Sequence, residues 1–483
     1  MRAAAFITGG TMQKENTTKK DNIFTRFIAK IKNIFLTIAH SSLATKLSCG
    51  FMGVGQIMRK QIVKGIIYAL LEVLFFVFMI LSGGSYIARF LFSGHLGTVG
   101  EGTYWNEEEG IYETVPGDNS FLILLYGILS LTVVIFFISL WVMNIRGSLE
   151  NDRLLAEGKK VNTFKQDCSL LINKKFYIPL LVPPLIGLLV FTVLPIVFMV
   201  LIAFTNYDYQ HLPPSKLFDW VGFVNFGNLF SIAEGTGFLL VFLRVLLWTF
   251  VWAFIATFTN YFLGMILALM INKKGIKLKM LWRTLFVIAI AIPQFITLLL
   301  MSKILDGDGI LNKMLGTTIY WLSDTRYASL LPRVMIILVN MWIGIPYTIL
   351  MCSGILMNIP QEMYEAAKLD GANAWQLFIK IVLPYMLHVT GPYLITQFVG
   401  NINNFNVIWL LTGGGPGDNI LYGVGNAQST DLLVTWLYRL TTDTNVQYNM
   451  ASVIGIVIFV ICASLSLVTY NKTKAAKNEE DFQ

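Results

Sequence analysis

Two groups of residues in this chain could do chemistry, and neither is catalytic in type. The first is built of amides and a phenol. Asn340, Ile343, Gly344 and Tyr347 recur at i, i+3, i+4 and i+7, and Asn401, Asn403, Asn404 and Asn406 fall within six residues. The i, i+3, i+4, i+7 spacing puts the first set on one helix face, and Asn401 and Asn404 share another. An asparagine amide both donates and accepts hydrogen bonds, which suits sugar hydroxyls. A tyrosine ring can lie against a pyranose face. The second group is Glu365-Ala366-Ala367, then Gly371, Ile381, Leu383 and Pro384, inside a polar stretch from 358 to 384. It offers one carboxylate beside a low alanine surface, a shape suited to being gripped rather than to reacting. No nucleophile–base constellation and no GxxxxGK[ST] occur. Gly158-Lys159-Lys160 lacks the hydroxyl residue, and Gly413-Gly414-Gly415-Pro416 lacks the lysine and reads as a tight external turn. Cys49, Cys168, Cys352 and Cys462 are scattered without a CxxC pair and define neither a metal site nor a disulfide framework. His388 has no companion ligand nearby. Asp306-Gly307-Asp308-Gly309 starts like a calcium loop but lacks the later glutamate, so it reads as an external turn.

The elements that must carry these groups are membrane helices. Only 13% of the 483 residues are charged and 55% are hydrophobic, too little polar surface to coat a water-soluble globule. A span needs about 20 apolar residues. Eight stretches qualify: 66–91, 121–145, 177–205, 246–271, 281–303, 334–357, 386–411 and 448–470. Pro179, Pro183, Pro184 and Pro195 predict kinks in the third. Gly344, Pro346, Gly391, Pro392 and Gly400 predict broken helices in the sixth and seventh, as around a cavity. With the N-terminus inside, the cytoplasmic connections hold 28 of the 36 lysines and arginines. Both termini and the 358–384 loop are then cytoplasmic. The first outer loop is acidic. Glu72, two turns into the first span, is close enough to the cytoplasmic face to read as structural.

Residues 1–65 form a basic segment with no signal peptide, 66–170 two spans and a linker, 171–475 a six-helix domain and 476–483 a tail. Residues 1–11 carry no functional pattern, and Met12 is the expected start. Phe24, Phe27, Ile28, Ile31 and Phe35 recur at helical spacing beside Lys30 and Lys32. That pattern fits either a helix on the anionic inner leaflet or one packed on its own protein.

Within the loop, Ile359-Pro360 ends the sixth span and opens a helix over 361–369. Gly371 suits a left-handed C-terminal cap. A second helix runs from Ala374 to Ile381, and Pro384 ends it and turns the chain back into the membrane. Seven fixed positions, Glu-Ala-Ala, Gly and Ile-x-Leu-Pro at this spacing, resemble the signature loop of ABC importer permeases. Asp370-Gly371-Ala372 and Leu411-Thr412-Gly413-Gly414-Gly415-Pro416 resemble its sugar-importer branch, most closely the larger, eight-span permease of the maltose and maltodextrin type. The likeness covers about residues 175–475 closely and the first two spans loosely.

The resemblance implies an all-α integral membrane protein of eight spans, with a six-helix permease core and a cytoplasmic coupling helix. It implies an oligosaccharide path through Gln294, Asn340, Ile343, Gly344, Tyr347, Asn401 and Asn404. It implies a coupling loop of Glu365, Ala366, Ala367, Asp370, Gly371, Ile381, Leu383 and Pro384 that docks on an ATPase. The implied partners are a second permease, two copies of an ATP-binding subunit, an extracellular sugar-binding protein and the lipid bilayer, with no nucleic acid. ATP and magnesium would belong to the partner, leaving this chain without cofactor or enzymatic activity, in a bacterial cytoplasmic membrane. Three departures alter the implied pocket: Gln294 stands for a small hydroxyl residue, Ile290 for a tyrosine and Gly400 for a phenylalanine. The 206–245 connection is too short for the large external domain of that permease, which suggests a lipid-anchored binding protein. The rivals are a permease of the same family for peptides or amino acids, a gradient-driven carrier and a membrane scaffold. Buried acidic residues would mark the carrier, and only Glu72 lies in a span. A scaffold has no use for asparagines inside its spans.

Overall fold

The computed structural model describes residues 36–107, 109–231, 238–273, 275–417 and 424–472. The expected amphipathic helix at 24–35 and the acidic tail lie outside these. The chain packs as two compact units, one of residues up to Met199 with Pro213–Trp220, the other of Val200–Leu212 with Val221 onward. Among the described residues, seven helices are long and apolar enough to span a membrane, or eight if one bent pair is counted as a single span.

In the first unit, α1 (Leu43–Gly50) and α2 (Val54–Met58) precede α3 (Ile62–Leu91), and α4 (Ser120–Ala156) follows the outer loop. The short helices are pinned to α4 by buried polar groups. Arg59 pairs with Asp152 at 2.5 Å and donates to Ser148 at 2.6 Å, while Thr45 donates to Asp152 at 2.6 Å. Asn144 accepts from the Gly53 amide and donates to the Ser48 carbonyl. Glu72 accepts the Met52 amide at 2.8 Å, so its carboxylate fastens the turn between α1 and α2. The outer loop holds a hairpin, β1 (Gly102–Asn106) with β2 (Ile111–Val115), where β-favouring Thr, Tyr, Trp, Ile and Val flank a glutamate–glycine turn. It is a local departure from an all-helical chain. Next come α5 (Phe164–Ile172) and α6 (Tyr177–Ile202). In α6 the expected disturbance is a π turn at Leu189–Val193, just ahead of Pro195, which has no N–H to donate.

The second unit runs through α7 (Val224–Leu229), α8 (Phe238–Asn272), α9 (Lys279–Ala291), α10 (Gln294–Ile304), α11 (Ile310–Leu315) and α12 (Arg326–Leu356). It continues with α13 (Gln361–Leu369), α14 (Ala374–Leu377), α15 (Leu383–Ile402), α16 (Phe405–Thr412), α17 (Leu433–Thr442) and α18 (Tyr448–Lys472). The fifth span is not one rod: α9 and α10 meet at 89°. Pro293 forces Ile292 out of the helical region, to φ −83° and ψ 124°.

Helices expected to break do not. α12 continues through Gly344 and Pro346, and α15 through Gly391, Pro392 and Gly400. The seventh span breaks instead between Ile402 and Phe405, where Asn404 caps α16 by accepting the Val407 amide. Pro384 does not turn the chain either. A π turn at Phe378–Val382 joins α14 to α15, absorbing the hydrogen bond that the proline nitrogen cannot make.

Candidate functional site

A cavity of about 410 Å³ opens between α8, α12 and α15. That is within the size range of small-molecule sites, about 300–1,000 Å³. Each helix supplies one face, with residues three or four apart: Ala256, Thr257, Asn260 and Tyr261 from α8, Gly344, Tyr347, Thr348 and Met351 from α12, and Tyr393, Leu394, Gln397 and Asn401 from α15. Among the described residues lining it there is no Asp, Glu, Lys, Arg or His. The lining is amide, hydroxyl and phenol with a few apolar walls. Such a surface exchanges hydrogen bonds with a neutral polyol and offers no counter-ion to a charged solute.

The amides are held in order. Asn401 donates to the Thr257 hydroxyl at 2.9 Å, and Asn404 donates to the Asn401 side-chain oxygen at 3.3 Å. The Trp252 indole donates to the Asn401 carbonyl at 3.1 Å. Tyr261 shares a 2.8 Å hydrogen bond with Thr390, closing α8 onto α15. The Tyr347 ring is half exposed and open to the cavity.

Of the residues expected to touch substrate, Gly344, Tyr347 and Asn401 line this cavity. Asn340 is buried one turn along α12 and Ile343 packs against the apolar cluster of Trp252, Ile336 and Val339. Asn404 caps α16 and supports Asn401 from behind. Gln294 opens α10 beyond the 89° bend and lines no part of it. Sequence reasoning passed over the α8 wall and Tyr393 and Gln397. The signal was present: Thr257, Asn260, Tyr261 and Gly264 repeat the same helical spacing in an otherwise apolar span.

The 358–384 segment forms an elbow. Pro360 leads into α13, and Gly371 takes the left-handed conformation at φ +80°. Asn373 and Gln376 make a reciprocal capping box for α14. Glu365, Ala366, Asp370 and Gly371 are exposed, Ala367 is half-buried, and Gln361 donates to Glu365 at 2.8 Å. The inward face differs. Tyr364, Ile381 and Leu383 pack on a cluster of Tyr261, Met265, Ile349, Cys352, Leu356, Val382 and Met386. The outward face leaves Leu369 89% and Trp375 67% exposed, the Trp375 ring resting on Phe378 along one side only. Pro384 is exposed at the start of α15.

The glycine-rich turn does more than reverse the chain. Asp431, fully buried, pairs with Arg439 at 3.2 Å and accepts from the Thr435 hydroxyl and the Gln428 amide. Arg439 also donates to the Gly413 carbonyl and lies over the Trp409 ring. A Cβ on Gly414 would stand 1.9 Å from the Asp431 carboxylate.

Residues 260–472 match the family described as binding-protein-dependent transport system inner membrane component. The maltodextrin transport system permease protein MalC of Streptococcus pneumoniae is 34% identical over 443 residues, 89% of this chain and 95% of that protein. The galactooligosaccharides transport system permease protein GanP of Bacillus subtilis is 33% identical over 449 residues, 91% of this chain and 99% of that protein. The maltose/maltodextrin transport system permease protein MalF of Vibrio vulnificus matches over 223 residues at 34%, 45% of this chain and 42% of that one. In fold, the chain resembles a chain of a bacterial alginate ABC transporter solved with an alginate pentasaccharide-bound periplasmic protein. The TM-score is 0.50 at 22% identity, over 64% of this chain and 97% of that one.

Proposed function

Because this chain belongs to the binding-protein-dependent transport system inner membrane components, the permease subunits of ABC importers, we propose that it passes a neutral oligosaccharide through the cavity between α8, α12 and α15. The observation that carries this reading is the lining: hydroxyls, amides and tyrosine rings from three spans, without a charged side chain. Peptides and amino acids bring charges that would need partners, and this lining offers none. The relatives named for maltodextrins and galactooligosaccharides cover nearly the whole chain at similar identity, so the substrate class is an oligosaccharide of one of these two kinds.

The chain supplies half of a channel completed by a second, smaller permease. Two copies of an ATP-binding subunit hydrolyse the nucleotide with its magnesium, and an external binding protein delivers the sugar. Both termini and the elbow face the cytoplasm. The exposed outer face of the elbow, with Glu365, Leu369 and Trp375, supports docking on the ATPase. Motion then passes inward through the cluster that includes Tyr261, which also lines the cavity.

The deciding experiment is uptake by the complete reconstituted complex of labelled maltotriose, galactotriose and a tripeptide. ATP-dependent uptake of one trisaccharide and exclusion of the peptide is expected. Uptake of the peptide with neither sugar would replace this reading by the peptide one.

A further inference from the structure

The α8 wall of the cavity contains one side chain whose hydrogen bonding is unfinished. The side-chain oxygen of Asn260 is buried, and no donor reaches it. Native proteins pair such atoms, and an exception asks for a reason. Its neighbours along the wall are already occupied. The Thr257 hydroxyl accepts from Asn401, and the Tyr261 hydroxyl is joined to Thr390. Among the described residues lining the cavity, Asn260 alone keeps a buried oxygen without a donor.

The residue that faces it on α12 is Gly344. A Cβ there would meet the Asn260 amide nitrogen at 2.1 Å. The glycine thus makes room for the Asn260 side chain, a role different from touching the sugar itself. The chain leaves this acceptor without a donor and clears the opposite helix to keep it in place.

We propose that Asn260 is a specificity-determining residue of the path: its side-chain oxygen accepts a hydrogen bond from a hydroxyl of the passing oligosaccharide, and Gly344 is its seat. This rests on the oligosaccharide reading of the cavity. A neutral sugar hydroxyl completes the amide without bringing charge. A deoxy carbon at that position leaves the acceptor unpaired, the arrangement by which a polar site rejects an analogue lacking one hydroxyl.

The test uses the complete complex in liposomes with its external binding protein at saturation, taking whichever of labelled maltotriose or galactotriose the wild type imports. Because the binding protein captures the sugar first, Asn260→Ala is expected to lower the maximal uptake rate roughly three- to tenfold, as one lost hydrogen bond implies, without moving the half-saturating concentration. Its melting midpoint without sugar stays level or rises, since the oxygen removed had no donor. Gly344→Ala alone loses both uptake and stability. The double variant Gly344→Ala/Asn260→Ala recovers the midpoint and transports like Asn260→Ala. An Asn260→Ala complex with wild-type uptake, or one that melts several degrees lower, would overturn the assignment. So would a double variant slower than Asn260→Ala, which would give the glycine a sugar contact of its own. A wild type importing neither sugar fails at the earlier step, before any variant is compared, and removes the substrate reading together with this one.

Discussion

Arg439 has three simultaneous uses: the Asp431 carboxylate, the Gly413 carbonyl and the face of Trp409. Replacing it by methionine keeps the length of the stem and removes the charge. Asp431 is then left buried and unpaired, and breaking a buried pair from one side costs about 3–5 kcal/mol. Arg439→Met should therefore lower the melting midpoint of the purified complex strongly, and adding Asp431→Asn should restore much of the loss. A midpoint that the second change leaves low would mean that the pair is not the anchor of this turn. Nothing in the sequence announced this pair. The Gly413–Pro416 run reads only as a turn, because the side chains that require its glycines stand far along the chain, beyond Gln428.

Asp118, just ahead of α4, gives a second test with a definite sign. Its carboxylate accepts the Thr98 amide at 3.0 Å and faces Arg89 at 3.0 Å, and these hold it below the usual aspartate range against the opposing effect of burial. The folded value lies below the unfolded one. Its stabilisation is then complete above the unfolded pKa and is lost as the pH falls through the folded pKa. The protection of the Thr98 and Val99 amides, corrected for intrinsic exchange, should drop in that acidic window. Asp118→Asn should flatten the dependence, and a wild-type profile as flat as that of the variant would refute the linkage.

Among the elements, the elbow was the most legible in sequence. A proline at the entrance, a run of helix formers and Gly371 are local signals, and α13 follows them residue for residue. The π turn at Phe378–Val382 was not legible, because the choice between ending a helix at Pro384 and carrying it into α15 is made by packing. Val382 and Met386 both enter the apolar cluster beneath the elbow, and a turn at Pro384 would pull one of them out. The cavity was half legible. Asparagines and a tyrosine in α12 and α15 stood out, whereas Thr257, Asn260 and Tyr261, single polar residues scattered along the otherwise apolar α8, did not. The 89° bend removes Gln294 from the company its sequence position suggested. Function at the elbow can be tested without disturbing its fold, since Glu365 and Leu369 are exposed. Glu365→Ala or Leu369→Ser should leave sugar binding intact and lower the ATP hydrolysis stimulated by loaded binding protein. Unchanged stimulation in both variants would mean that the ATPase grips another part of the chain.

Transmission across the permease needs a connection between the elbow and the cavity that does not yield. The second unit contains one. Tyr364, Ile381 and Leu383 of the elbow rest on the cluster holding Tyr261 and Ile349, and Tyr261 is also part of the cavity wall. Its hydroxyl ties α8 to α15 through Thr390, and Thr390 in turn donates to the Met386 carbonyl one turn nearer the elbow. A close-packed interior shifts as a body when one side is pushed, because there is no free volume to absorb the displacement. Tyr261→Phe keeps the ring and its packing and deletes only the cross-helix hydrogen bond, a loss of about 0.5–1.5 kcal/mol. Neither the elbow surface nor the amide chain from Thr257 to Asn404 is touched. The ATPase should still be stimulated by loaded binding protein, while fewer sugar molecules enter per ATP hydrolysed. Measuring uptake and phosphate release in the same liposomes gives that ratio directly. If the ratio stays at the wild-type value, movement reaches the cavity by a route other than the α8–α15 tie, and the cluster beneath the elbow serves stability alone.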